Sequence, residues 1–424
     1  MKARRLLVIS DIDIPGIYHT GGGAMRSTRS IVEYSKYFDI DLIIPRVLNT
    51  DIKSEEIARS FNIEEVLSFS VKGKILGLIH ERYPALFYIG FPVFIHKWLV
   101  KAGSPTRPPD AIVILNEGLS HVIVGKRFKE KYGVHSMVLF QLPPFYHDKE
   151  QRRHIRQALK SWYKELYGDS FLAEYSRKIL RSIDLWLLDS KKVRSFYESH
   201  DLLVAVSKSI PLEMGEEWIN KFHVLDPGVS LNDEDLVLIN EVKNSAKEKK
   251  DYIIFGGRPD PLKGFLEGLK VFKEISKKYT DLKLVVTGHL GHTLKPRIEK
   301  LIKRMSLDGK VVLTGYIPRQ ERFKIVAEAR LMLYPSHVDS YPYAVLESLY
   351  LGTPVIAYDI PALRFNYGNN PGVVLIKEGD MEALINGTIN MLESRHIEIQ
   401  SPKSRSWEDI MREELGLVEK LIEK

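Results

Sequence analysis

Residues 334–357 read YPSHVDSYPYAVLESLYLGTPVIA, and this stretch limits the fold more than any other in the chain. An apolar strand end at 331–334 enters a loop carrying Asp339. A helix opens near Pro342 and carries Glu347, and Gly352 with Pro354 stops it before a second strand at 355–358. Glycine just past a helix and proline soon after it are stop signals. Two short apolar runs joined by a helix make a βαβ unit, whose binding edge is the set of loops at the carboxyl ends of the strands. Asp339 and Glu347 bracket the N-terminus of the helix. Its unpaired N–H groups and positive dipole end suit a phosphate, and the carboxylates beside it can accept hydrogen bonds from sugar hydroxyls. The plain alternative is an amphipathic crossover helix with a solvated glutamate.

The rest of the chain repeats this pattern. A strand at 6–10 runs into a polar loop ending in Gly21, Gly22 and Gly23, and a helical stretch follows at 24–37. Glycines there let a backbone approach a ligand closely and aim N–H groups at it. Further apolar runs at 40–45, 66–70, 110–115 and 136–141 read as strands, with a helix at 119–132 between the last two. Strands that alternate with helices in this way predict an α/β chain with doubly wound parallel sheets. The phrases IDLWLLDS (183–190) and HDLLVAVS (200–207) both fit a last strand of the first half, the second better. In the second half, strands are expected at 253–256, 282–288 and 311–315. The turn GGRPDPLKG after the first of these brings Gly257, Arg258 and Lys263 together before a helix at 265–279. An arginine fork and a lysine point charge five positions apart at such a turn can address one diphosphate.

A length of 424 residues exceeds what one core sustains, so two domains are expected. The boundaries read as 1–230, a polar linker at 231–250 that is either extended or a solvated helix joining the domains, a second domain at 251–400 and a terminal helix at 401–424 that packs back on the first domain. The absence of cysteine excludes disulfides, thiolate catalysis and Cys-ligated zinc, and suits a reducing cytoplasm or a thermophile. A net charge of +7 favours anionic partners. Lys and Arg are scattered among acids without nucleic-acid-binding wording, so nucleic acid is not expected as a partner. No run reaches the roughly 18–20 apolar residues that a bilayer span needs. The segment at 83–95, YPALFYIGFPVFI, reads as core or lid, or else as a surface facing a membrane or an acceptor. The helical 148–181 region, with Trp162, Tyr163, Leu166 and Tyr167 in one stripe, reads as a surface helix pair with partner or membrane contact as the alternative.

The 334–357 stretch resembles the acid-x7-acid signature of retaining GT-B glycosyltransferases, above all family four (glycosyl transferases group 1). Tyr341, Pro342, Val345, Leu346, Glu347, Gly352, Pro354, Val355 and Ile356 fall in register, and Asp339 stands where the family has Glu. The Arg258 and Lys263 turn matches a second family motif, and Ser406 with Trp407 resembles its terminal helix. The resemblance implies two Rossmann-like domains facing each other across a cleft. It implies that Gly22, Gly23, Gly257, Gly288, Tyr316, Tyr341, Val345 and Glu347 meet the donor, with Arg258, Lys263 and Asp339 as the catalytic set. Many family members place a histidine just past the 136–141 strand. Here Gln141 takes that position, and His147 is the candidate substitute on the acceptor side.

The implied reaction is transfer of a sugar from a UDP- or GDP-sugar to a hydroxyl of a glycan or lipid-linked acceptor. It retains anomeric configuration and needs neither a resident cofactor nor a metal. Asp-x-Asp pairs occur at Asp11/Asp13, Asp39/Asp41 and Asp233/Asp235, but none lies on the donor motif, and three such pairs in an Asp-bearing chain of this length fit chance. The expected setting is the cytoplasm or the inner membrane surface. Rival readings are a GT-B epimerase or phosphorylase, or a non-catalytic subunit that binds nucleotide sugar in a glycan assembly complex.

Overall fold

The computed structural model describes residues 4–12, 22–45, 57–59, 63–71, 100–168, 191–245, 248–288, 290, 294–402 and 405–424. Gly21, the 83–95 segment and the 183–190 phrase lie outside the described residues. The chain divides into two compact units. The first comprises Met1–His147, Ser176–Val229 and Arg405–Lys424, and the second Asp148–Tyr175 and Ser230–Ser404. The helices that matter below are α1 (Gly22–Tyr34), α2 (Leu119–Tyr132), α3 (Lys149–Tyr167), α4 (Asp233–Ser245), α5 (Phe265–Lys278), α6 (Arg319–Glu328), α7 (Tyr343–Tyr350) and α8 (Trp407–Ile422).

The sheet of the first unit contains β1 (Arg5–Ile9), β2 (Asp39–Pro45), β3 (Glu65–Val71), β4 (Val100–Ala102), β5 (Ala111–Ile114), β6 (His135–Phe140), β7 (Leu202–Ala205) and β8 (Phe222–Val224). They run in the order β4-β3-β2-β1-β5-β6-β7-β8, parallel except where β4 pairs with β3. Of the two phrases that fitted a late strand, HDLLVAVS forms β7. Strands β1 and β5 are buried along their whole length, as expected of apolar runs covered on both faces. The last helix of the chain, α8, belongs to this unit. Ser406 caps it by accepting from the Asp409 N–H at 3.0 Å. Trp407, Ile410, Met411, Glu414, Leu417, Val418 and Leu421 form its buried stripe at helical spacing. The one acid in that stripe, Glu414, accepts from the Tyr34 hydroxyl and the Arg26 guanidinium of α1. Arg26 also donates to the Gly228 carbonyl at 2.8 Å, so it is paired and hydrogen-bonded where burial would otherwise be costly.

The second unit has β9 (Tyr252–Phe255), β10 (Lys283–Thr287), β11 (Val311–Gly315), β12 (Met332–Tyr334), β13 (Val355–Tyr358) and β14 (Val373–Ile376). All are parallel, in the order β11-β10-β9-β12-β13-β14. The strand order reverses between β9 and β12, which makes their carboxyl ends the topological switch point where ligands of such sheets bind. Asp339 follows β12 and the Arg258 turn follows β9, so both motifs stand at that point.

Of the two readings of 231–250, the helical one describes α4, but Asp235, Ile239 and Val242 are buried and the helix is part of the second unit, so it is not simply a solvated connection. The 148–175 segment belongs to the second unit instead of the first. Its stripe explains why: Trp162 packs edge-on against Phe265 at 6.1 Å, Arg297 lies over Tyr167, and Arg304 pairs with Glu165 at 2.5 Å. Trp162 and Leu166 are therefore buried packing residues and not an open face.

Candidate functional site

The second-unit site begins at the end of β9. Asp260 accepts from the Leu262 N–H at 2.9 Å and so closes the 3-10 turn Pro261–Lys263. Gly264 follows at φ +69°, and a Cβ there would sit 1.9 Å from the Pro335 carbonyl oxygen. Only glycine lets this turn lie so close to the loop after β12. That contact brings Lys263 to Asp339: its Nζ lies 2.5 Å from Oδ2 and donates to the Val338 carbonyl at 2.9 Å. The same Oδ2 accepts from the Tyr334 hydroxyl, and Oδ1 accepts from the Ser340 N–H at 3.0 Å. Burial and the Asp339 carboxylate hold the Tyr334 hydroxyl well above its ordinary pKa, so it stays a donor. Arg258 is mostly exposed, with Nε 3.7 Å from Asp260 and its Cα and Cβ against Gly288. Gly257 packs on the stem of Lys263.

The loop from 335 to 342 is buried throughout and braced from several sides. His337 donates its backbone N–H to Leu262 at 2.9 Å. Its ring sits between Glu378, at 2.7 Å from Nδ1, and Glu267, at 3.6 Å from Nε2. Burial alone would lower the imidazole pKa, but the two carboxylates outweigh that and raise it to about 9. Asn366 donates to the Ser340 carbonyl at 3.0 Å, and Tyr341 packs against Tyr367. Among the described residues, no group of three or more His, Asp or Glu is arranged to hold a metal ion.

Glu347 has only 3% of its side chain exposed. Arg322 of α6 reaches it with both prongs, at 2.6 and 2.7 Å, and Arg319 adds a contact at 3.3 Å. Arg319 also pairs with Asp235 at 2.9 Å, which gives one member of an Asp-x-Asp pair a structural partner. Val345 is fully buried, so any ligand contact it makes comes through its backbone. Tyr316 is 62% exposed just past β11.

The first unit gathers a separate polar group at the carboxyl ends of β1, β5 and β6. Gly23 opens α1, and a Cβ there would lie 3.1 Å from Gln141 Oε1. Gln141 donates to Ser27 Oγ at 2.7 Å and to the Leu115 carbonyl at 2.8 Å, which ties α1 to β5. Asp11 accepts from Asn116 at 3.0 Å and lies 3.4 Å from His121 on α2. Burial would raise the Asp11 pKa, but the hydrogen bond and charge of His121 lower it overall. Glu117 accepts from the Gln141 N–H at 2.9 Å, and burial raises its pKa. His147 lies exposed against Gly215; its backbone N–H donates to Glu213 at 2.7 Å.

Residues 239–410 match the profile of the family described as Glycosyl transferases group 1. That stretch, about two fifths of the chain, is what the chain shares with that family. An uncharacterized glycosyltransferase of Haemophilus influenzae is 27% identical over 212 residues, covering 49% of this chain and 56% of that protein. The chain thus spans about half the length of such relatives. Among solved structures, sucrose-phosphate synthase from Thermosynechococcus elongatus superposes with a TM-score of 0.62 at 14% identity over 99% of both chains. Anabaena HepE, solved in complex with UDP and glucose, gives 0.58 at 12% identity over 98% of this chain and 100% of its own. At these identities the likeness shows the fold, and that fold is GT-B.

Sequence reasoning missed three partners of the two acids, Tyr334, Arg319 and Arg322, and it missed His337, which is held between Glu267 and Glu378 in the same loop. It also missed Asp11, Asn116, Glu117 and His121 in the first unit. A usable signal existed for the arginines, since three-residue spacing puts them on one helix face.

Proposed function

We infer that the protein is a retaining glycosyltransferase that moves a sugar from a UDP- or GDP-sugar to a hydroxyl of a glycan or lipid-linked acceptor. One observation carries this reading: Lys263 and Asp339 meet at the switch point of the second sheet, beside the exposed Arg258. Lys263 and Arg258 offer fixed positive charge where a departing diphosphate gathers negative charge. The N-terminus of α7, which its Pro342 cap leaves without a side-chain bond, adds N–H groups to that field. Asp339 accepts hydroxyls of the donor sugar, and Glu347 those of the ribose.

In the step itself, the bond from the anomeric carbon to the diphosphate oxygen breaks. The acceptor oxygen bonds to that carbon on the same face, and its proton passes to the departing phosphate oxygen. No group of the protein becomes covalently attached, and the charge is handled by side chains and helix N–H groups. The complex of HepE with UDP and glucose favours UDP as the first donor nucleotide to test. No helix among the described residues is long and apolar enough to cross a membrane. We propose separately that the protein works in the cytoplasm or at the inner membrane surface, where a lipid-linked acceptor would be met.

A second reading, binding of a nucleotide sugar without transfer, is favoured by one feature: both acids of the motif are already engaged by cations. Incubation with UDP- and GDP-sugars, followed by assay of released nucleoside diphosphate, separates the two. Release from one donor, faster with added acceptor glycan, is the expected result. Tight binding of the nucleotide sugars without release would favour the second reading.

A further inference from the structure

Glu347 is the residue assigned above to the ribose, yet a fork from Arg322 already takes both its oxygens, at 2.6 Å on Oε2 and 2.7 Å on Oε1. Arg319 makes the longer contact, 3.3 Å to Oε1, while it holds Asp235 at 2.9 Å. The two arginines stand three apart on α6, and that helix packs against both α4 and α7. An ionised carboxylate offers about four acceptor positions, and a two-pronged guanidinium fills two of them. The positions that remain are enough for a ribose diol. The 3.3 Å contact is the one a hydroxyl can replace, because Arg319 keeps Asp235 when it leaves Glu347.

The geometry points to Arg322 as a positioning residue that fixes the plane of the Glu347 carboxylate, so that its remaining lone pairs meet the ribose hydroxyls of a nucleoside diphosphate while Arg319 yields toward Asp235. The inference rests on the reading of this unit as a nucleotide-sugar site. The charged groups the structure places around Glu347 fit it: Arg319 and Arg322 from α6 and, through Arg319, Asp235 from α4. The net effect of Glu347 on Arg322 is to raise the guanidinium pKa against the opposing influence of burial, so the fork keeps its charge. Arg322 is also half-buried under its own load, with 29% of its side chain exposed, which leaves it little freedom to turn toward a ligand.

Discrimination between ribose and deoxyribose tests this, because a residue that merely braces the helices would change both affinities together. Calorimetric titration of the full chain with UDP, 2′-deoxy-UDP, GDP and 2′-deoxy-GDP gives the ratio directly. The wild type is expected to prefer one ribonucleotide over its deoxy form by about tenfold, the size of one well-made hydrogen bond to a charged group. Arg322→Met is expected to bring that preference to about twofold or less, and Arg322→Lys to leave it in between. Arg319→Ala is expected to tighten ribonucleotide binding severalfold. A tenfold preference that survives Arg322→Met, or an equal loss for both members of each pair, overturns the inference and leaves the nucleotide-sugar reading standing. A wild type that binds neither UDP nor GDP removes that reading and the inference with it.

Discussion

Asp339 carries one methylene less than the glutamate that the family motif has at its position, and the structure shows how the shorter acid is held. Lys263, the Tyr334 hydroxyl and the Ser340 N–H all converge on it. Tyr334→Phe removes one of those donors without opening a cavity. It is expected to lower kcat/KM for the donor about tenfold, the equivalent of roughly 1.4 kcal/mol; steady-state kinetics with the donor that turns over will show it. His337 sets a pH limit for the same loop. Its pKa is raised to about 9 in the folded chain, against the ordinary 6.5. Folding therefore takes up a proton between these values, and the stabilisation is full below 6.5 and lost as pH rises through 9. The difference corresponds to about 3 kcal/mol. Thermal unfolding followed from about pH 6 to about pH 10 should show the wild type losing stability across that window, and His337→Gln should flatten the decline.

At the scale of elements, the acid, helix and acid unit was legible because each of its parts is local. Apolar strand ends, a proline at the helix start and Gly352 at its end follow from backbone chemistry within a few residues. The partners of the acids were not legible, because they are set by tertiary packing. Arg319 and Arg322 lie 28 and 25 residues from Glu347 on a helix whose sequence, RQERFKIVAE, reads as an ordinary charged surface helix. Tyr334 reads as a strand end, and nothing near it in sequence marks its hydroxyl as a ligand of Asp339. Helix α3 resists assignment from sequence for the same reason: its apolar stripe is visible, but the surface it covers, around Phe265, is more than a hundred residues away. One local residue does report tertiary structure. Gly264 joins the 3-10 turn to the loop after β12, and Gly264→Ala must accept both a left-handed backbone and a collision with the Pro335 carbonyl. Left-handed strain alone costs about 1–3 kcal/mol. With about 2–4 °C per kcal/mol for a unit of this size, an unfolding midpoint lowered by about 5 °C or more is expected in calorimetry.

For the molecule as a whole, sequence order is a poor guide to which unit a segment joins. The first unit recruits the last helix of the chain, and the second recruits a helix from before residue 170. In the first unit that recruitment is fixed by a buried ion pair between Arg26 and Glu414, a contact 388 residues apart in sequence that no local pattern reveals. What was legible at this scale was the type of the sheets, since short apolar runs such as YIIF, AIVI and VIAY alternate with helical stretches as buried parallel strands do. The functional claim for the whole chain rests on one group, the Lys263 ammonium beside Asp339, as the charge that stabilises a departing diphosphate. The direct measurement is the initial rate of sugar transfer by Lys263→Ala against wild type at saturating nucleotide sugar, with both proteins shown to unfold at comparable temperatures. A fall of about a hundredfold or more, the size associated with losing one fixed transition-state donor, is the predicted result. Equal rates for the two proteins would contradict it.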